Sequence, residues 1–150
     1  MSWSFLLTYS HYLSIIILVA TVFAEQFFVK RQIKKTELFR LVIIDGIYGL
    51  SSILVVTTGL LRVFFFAKGG DYYFSNGIFL LKFSLFIVVG LLSILPTITF
   101  LKLRKKIKKD DLNEVELPHF RAILVSVRLE LILLLIIPLL AVLMANGVDF

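Results

Sequence analysis

Four long apolar runs, separated by short polar stretches, dominate the chain. They lie at about 5–28, 41–64, 77–101 and 122–145. Each is long enough to cross the hydrocarbon core of a bilayer, which takes roughly 20 residues of helix. Segments isolated in lipid must satisfy their own backbone hydrogen bonds, so helices are predicted, and the many short alternating strands of a β-barrel do not occur in the sequence. Short connections make neighbouring spans antiparallel. The expected architecture is all-α, a four-transmembrane-helix antiparallel bundle, with residues 1–150 as a single integral membrane domain.

Composition agrees with this pattern. The chain is 59% hydrophobic with a mean hydropathy of +0.99, whereas a soluble domain is nearer half apolar. The net charge of +6 is concentrated in two loops. One carries Lys30, Arg31, Lys34, Lys35 and Arg40, the other Lys102, Arg104, Lys105, Lys106, Lys108 and Lys109. Basic loops stay in the cytoplasm, so both termini and the Lys68–Asn76 loop are expected outside. The basic residues read first as topology determinants, and secondly as sites for anionic headgroups. Trp3, Tyr72 and Tyr73 suit an outer aromatic belt. The acidic stretch from Asp110 to Pro118 reads as a solvated linker. Met1 to Tyr9 has no basic n-region and no small-residue cleavage site follows, so the first run is expected to be a retained span. There is no cysteine, which excludes disulfides and thiolate chemistry.

Ionisable residues inside a span are costly and are the default functional candidates. Here they are His11, Glu25, Asp45, Arg62, Lys82, Arg128 and Glu130. By helix rise, His11, Arg62 and Lys82 form an outer electropositive layer. Glu25, Asp45, Arg128 and Glu130 form an inner layer of mixed charge. The inner layer reads first as structural, with Glu25 and Asp45 pairing with Arg128, or with Lys30 and Arg40 at the interface, and secondly as a proton relay. Arg62 either snorkels to the headgroups or contacts a ligand. His119 reads as interfacial.

Lys82 has no acid at its depth, so an anionic ligand such as a carboxylate or propionate would answer its charge. His11, at a similar depth, is a candidate metal or haem ligand. No second intramembrane histidine exists, which leaves five-coordinate haem or ligation across a dimer. Helical phase puts His11, Ser14, Leu18, Thr21 and Glu25 on one face. It does the same for Asp45, Tyr48, Gly49, Ser52 and Gly59, and for Lys82, Ser93 and Pro96. Asp45-Gly-Ile-Tyr also aligns with Asn76-Gly-Ile-Phe, and Gly59-Leu-Leu with Gly90-Leu-Leu, at one offset. That is either an inverted repeat or coincidence among apolar segments.

The residues His11-Tyr-Leu, Ala24-Glu25, Asp45-Gly-Ile-Tyr-Gly, Gly59-Leu-Leu-Arg62, Lys68-Gly, Tyr73, Ser75-Asn76, Lys82 and Gly90-Leu-Leu-Ser-Ile-Leu-Pro-Thr resemble a bacterial family. It is the domain-of-unknown-function family numbered twenty-two fourteen, of four-span membrane proteins. The resemblance covers almost the whole chain. Gly77 departs from it, standing where a proline is expected. It implies a bacterial inner (cytoplasmic) membrane location and brings no activity. His11 and Lys82 also resemble, more distantly, positions in HemJ-type protoporphyrinogen oxidases and CopD-like membrane domains. There such a histidine and lysine imply haem-linked oxidation. Ala24-Glu25-Gln26 stands where the HemJ-type proteins have a Trp-rich, Pro-Arg-containing exit.

Three functions remain open. One is a redox protein binding haem b or a porphyrin, with His11 as axial ligand and Lys82 and Arg62 on propionates. The second is a small transporter component receiving an anion, which would oligomerise. The third is a structural subunit docking a membrane partner. The lipid bilayer is a partner in every case. No Gly-rich phosphate loop, His-Glu-x-x-His or Gly-x-Ser-x-Gly occurs, and only the basic loops would serve a nucleic acid, so none is expected.

Overall fold

The computed structural model describes residues 3–66 and 76–148. Helix α1 (Trp3–Phe28) leads through a short connection to strand β1 (Gln32–Lys34) and helix α2 (Lys35–Leu61). A π-helical turn, Arg62–Phe66, ends α2. Helix α3 (Gly77–Asp110), strand β2 (Glu114–Glu116) and helix α4 (Phe120–Ala145) complete the order. All four helices are long and apolar enough to cross a membrane. The expectations at Lys68, Tyr72 and Tyr73 lie outside the described residues.

The helices form a bundle in which α1 packs along α2 and α3 along α4, the two pairs meeting through α1–α4 and α2–α3. His11 meets Thr58 near the start of α1 and the end of α2, so these two run antiparallel. Outward faces carry large apolar side chains such as Phe23, Phe27, Ile43, Ile53, Leu91 and Leu129. These are the surfaces that lipid covers. Inward faces bury Leu18, Val22, Val55, Val89, Phe100 and Leu134.

The predicted stripe on α1 is the inward face, with Ser14, Leu18, Thr21 and Glu25 buried. On α2 the buried set includes Asp45, Tyr48, Ser51, Val55 and Thr58. Ser51, rather than Ser52, therefore faces the core. Spacings of three and four residues admit either serine, and packing chose. The aligned residues Asp45 and Asn76 differ in role. Asp45 lies within α2, whereas Asn76 caps α3 by accepting a hydrogen bond from the Phe79 N–H at 2.9 Å, as N-cap side chains do.

The end bearing the basic loops departs from expectation. Residues 110–118 are not a free linker. Their strand β2 pairs antiparallel with β1, Ile33 opposite Val115. Further bonds run from Leu117 N–H to the Arg31 carbonyl and from Lys35 N–H to the Asn113 carbonyl, both 2.8 Å. A two-stranded ribbon is marginal alone in water. Here Ile33, Val115 and Leu117 are buried against Leu38, Ile107 and Ile123, and this apolar contact holds the ribbon in place. The sequence hid the strand because its apolar residues, Val115 and Leu117, and the preceding Leu112 are scattered through a short acidic run. At 34 residues, α3 is about 51 Å long, well beyond a core of about 30 Å. Its last turns thus reach past the span to support this clamp. Ion pairs close its rim, Lys30–Glu37 and Lys35–Asp111 at 2.8 Å and Arg31–Glu116 at 3.2 Å. The Lys35 hydrogen bond holds the Asp111 carboxyl below the usual carboxylate range. Both groups meet water, so the pair adds little to stability.

Candidate functional site

At the end opposite the clamp, His11, Arg62 and Lys82 line one cavity of about 600 Å³. That volume falls within the range typical of small-molecule sites, about 300–1,000 Å³. The rest of the wall is mostly apolar, with Phe79, Phe83, Phe86, Leu134 and Ile137 among its residues. The cavity therefore sets cationic groups in an otherwise greasy wall.

Each polar group is positioned by local structure. His11 Nδ1 lies 2.8 Å from Thr58 Oγ1. The Thr58 hydroxyl donates its single proton back to the Leu54 carbonyl. With its proton on that carbonyl the hydroxyl accepts from the imidazole, which selects the tautomer with the proton on Nδ1 and a lone pair on Nε2. This is the arrangement that orients a ligating histidine. Gly59 makes room for the ring, since a Cβ there would lie 3.2 Å from His11 Cε1. Gly59→Val is expected to displace the imidazole and weaken any ligation through it. An upfield or downfield shift of the His11 ring resonances in NMR would register the displacement, and unchanged resonances would refute it.

Arg62 opens the π-helical turn, and such turns are frequent at functional sites. Its guanidinium carbon stands 5.5 Å over the Tyr12 ring. Lys82 Nζ lies 5.2 Å from the Phe79 ring centre and 3.6 Å from Met144 Sδ, a weak acceptor. Among the described residues, none of the ion pairs involves Arg62 or Lys82. An aromatic face and a thioether attract a cation but leave its charge unneutralised.

The polar residues towards the clamp end are arranged differently from expectation. Glu25, Asp45 and Glu130 come together in the interior, at 2%, 7% and 1% exposure. Thr97 donates to Asp45 Oδ1 at 2.7 Å, and Tyr48 lies beside Glu130 and Ser93. Arg128 is exposed and pairs with none of them. Lys30 is taken by Glu37, and Arg40 is exposed. The expected mixed-charge layer is thus an acidic one. The reason is phase. Residues two positions apart, as Arg128 and Glu130 are, point to different sides of a helix. Pairing by depth alone cannot see that.

The family model described as "Predicted membrane protein (DUF2214)" matches residues 3–149. The chain belongs to this family. No curated protein and no solved structure matches the chain. Membership of the family therefore establishes a membrane protein with four apolar helices and leaves its chemistry to the residues. Of the sequence candidates, His11, Arg62 and Lys82 meet in one cavity of this family member. Glu25, Asp45 and Glu130 meet in a second cluster. Sequence reasoning missed Thr58, Tyr12 and Met144 as neighbours of the cavity. Their types are commonplace in a span, and only the fold brings them to His11, Arg62 and Lys82.

Proposed function

We propose that the protein binds an amphiphilic organic anion within its bundle, with haem or another porphyrin as the first ligand to test. The observation that carries this reading is the cavity itself. It gathers an imidazole, a guanidinium and an ammonium in the wall of one largely apolar chamber, and no ion pair among the described residues gives Arg62 or Lys82 a carboxylate. A charge kept within a span needs a partner, and an anionic ligand supplies one.

The donor set fits haem better than a bare metal ion. No group of three or more His, Cys, Asp or Glu side chains suited to a metal occurs among the described residues. A porphyrin brings four nitrogens of its own and needs only an axial ligand, for which His11 Nε2 is available. Lys82 and Arg62 would hold the propionates. Bound haem would supply one-electron chemistry. The chain's own work is to orient His11 through Thr58, to compensate the anion, and to keep water from the apolar wall. Lysine and arginine bias supports an orientation with the clamp in the cytoplasm and the cavity towards the outer side, and the reading takes the membrane to be a bacterial inner membrane.

An absorption spectrum of the detergent-purified protein, oxidised and reduced, with and without added haem, tests this. A Soret band that shifts on reduction and is lost in His11→Ala is the expected result. A featureless spectrum after haem addition would refute haem binding and shift weight to a transport component or a partner subunit.

A further inference from the structure

A second site lies in the same bundle. Glu25 follows His11 by fourteen positions on α1, about 21 Å at helical rise. At that level Glu25 of α1, Asp45 of α2 and Glu130 of α4 lie near enough to feel one another's charge, each at least nine-tenths buried. The groups that face them are the Tyr48 phenol of α2 and the Ser93 and Thr97 hydroxyls of α3. Among the described residues, no ion pair brings a basic side chain to these acids. Arg128 is exposed, and the nearby clamp cations Lys30, Arg31 and Lys35 are bound to Glu37, Glu116 and Asp111.

A second observation points to what the cluster holds. Glu25 Oε1 and Glu130 Oε1 are fully buried and have no hydrogen-bond partner. Buried carboxylate oxygens without partners are costly, and those of an ionised group far more so. Three negative charges in a medium of low polarity would add mutual repulsion. Something must therefore neutralise them. Hard cations take six or more oxygens at short, regular distances, and no such grouping of acids is present among the described residues. The remaining ligand is the proton.

We propose that Glu25, Asp45 and Glu130 form a proton-binding site, in which carboxyls hold protons at neutral pH and those of Glu130 and Asp45 exchange them with their hydrogen-bond partners Tyr48 and Thr97. In each exchange a carboxyl O–H breaks as a neighbouring oxygen takes the proton, and the reverse step restores it. Glu25 and Glu130, with the orphaned oxygens, are the principal holders. Asp45 accepts from Thr97 and is the member best able to carry a transient charge. The cluster works as a relay element of the kind that buried acids provide in membrane proteins. It stands independently of what the cavity binds.

Infrared difference spectroscopy of the full chain in lipid vesicles, stepped across pH, tests the site. Wild-type protein, Glu25→Gln and Glu130→Gln would be compared, in sodium and in potassium buffer. The expected result is a carboxylic-acid C=O band at neutral pH that shifts in D2O and falls by about a third to a half in each variant. Both variants should keep their helix content, because glutamine matches a neutral carboxyl in size, and all spectra should be the same in either salt. A wild-type protein with no carboxylic-acid band at neutral pH would overturn the proposal. So would carboxylate bands or a melting temperature that respond to sodium, or loss of fold in both glutamine variants, which would mean that ionised, partnered carboxylates are required.

Discussion

Lys82→Met is expected to weaken binding of haem, or of any other anionic porphyrin, by roughly ten- to a hundred-fold. A hydrogen bond to a charged group contributes about 1.5–3 kcal/mol, and each 1.4 kcal/mol is about tenfold in affinity. The ligand-free protein should respond in the opposite sense. Lys82 faces an aromatic ring and a thioether rather than a carboxylate, so removing its charge removes a desolvation cost without stranding a partner. Methionine also keeps an unbranched, apolar stem against Phe79 and Met144. The melting temperature without ligand should hold or rise, while titration with haem shows the lost affinity. A variant that melts lower without ligand and binds as well as the wild type would mean that Lys82 is structural.

The clamp supplies the second large effect. Ile33→Ala is expected to loosen β1 and β2 by about 2 kcal/mol or more, the usual cost of emptying a fully buried isoleucine site. Ile33 is completely buried, opposite Val115. The loss corresponds to roughly thirty-fold faster opening of the ribbon, read by amide exchange at Leu117, whose N–H bonds to the Arg31 carbonyl. Gln32→Ala is the control. Gln32 is exposed on the same strand, and such changes stay within about 0.5 kcal/mol. Equal exchange in the two variants would show that the ribbon depends on its backbone bonds rather than on the Ile33 contact.

The clamp also bears on the two buried sites. It ties the loop between α1 and α2 to the loop between α3 and α4, and so joins the two helical pairs at the end nearest Glu25, Asp45 and Glu130. The opposite end has its own small core of Val63, Ile78, Phe79, Leu140 and Met144. Phe79 and Met144 flank Lys82 there, so the packing that closes this end also sets the lysine's surroundings.

The four spans are legible in the amino-acid sequence itself. They follow from the length of apolar runs, because bilayer thickness sets a one-dimensional requirement that a chain either meets or fails. The inward stripe on α1 follows from helical period, and the grouping of His11, Arg62 and Lys82 follows from rise per residue. These quantities are local. What the chain left open was decided by contacts between positions remote in sequence. Ile33 finds Val115, Asp45 finds Thr97, and His11 finds Thr58 only once four helices have taken their rotations about their own axes. That rotation turned Arg128 outward and Glu130 inward, and so made an acidic cluster from what depth alone read as an ion pair. Depth is a property of one helix, whereas facing is a property of the packed bundle.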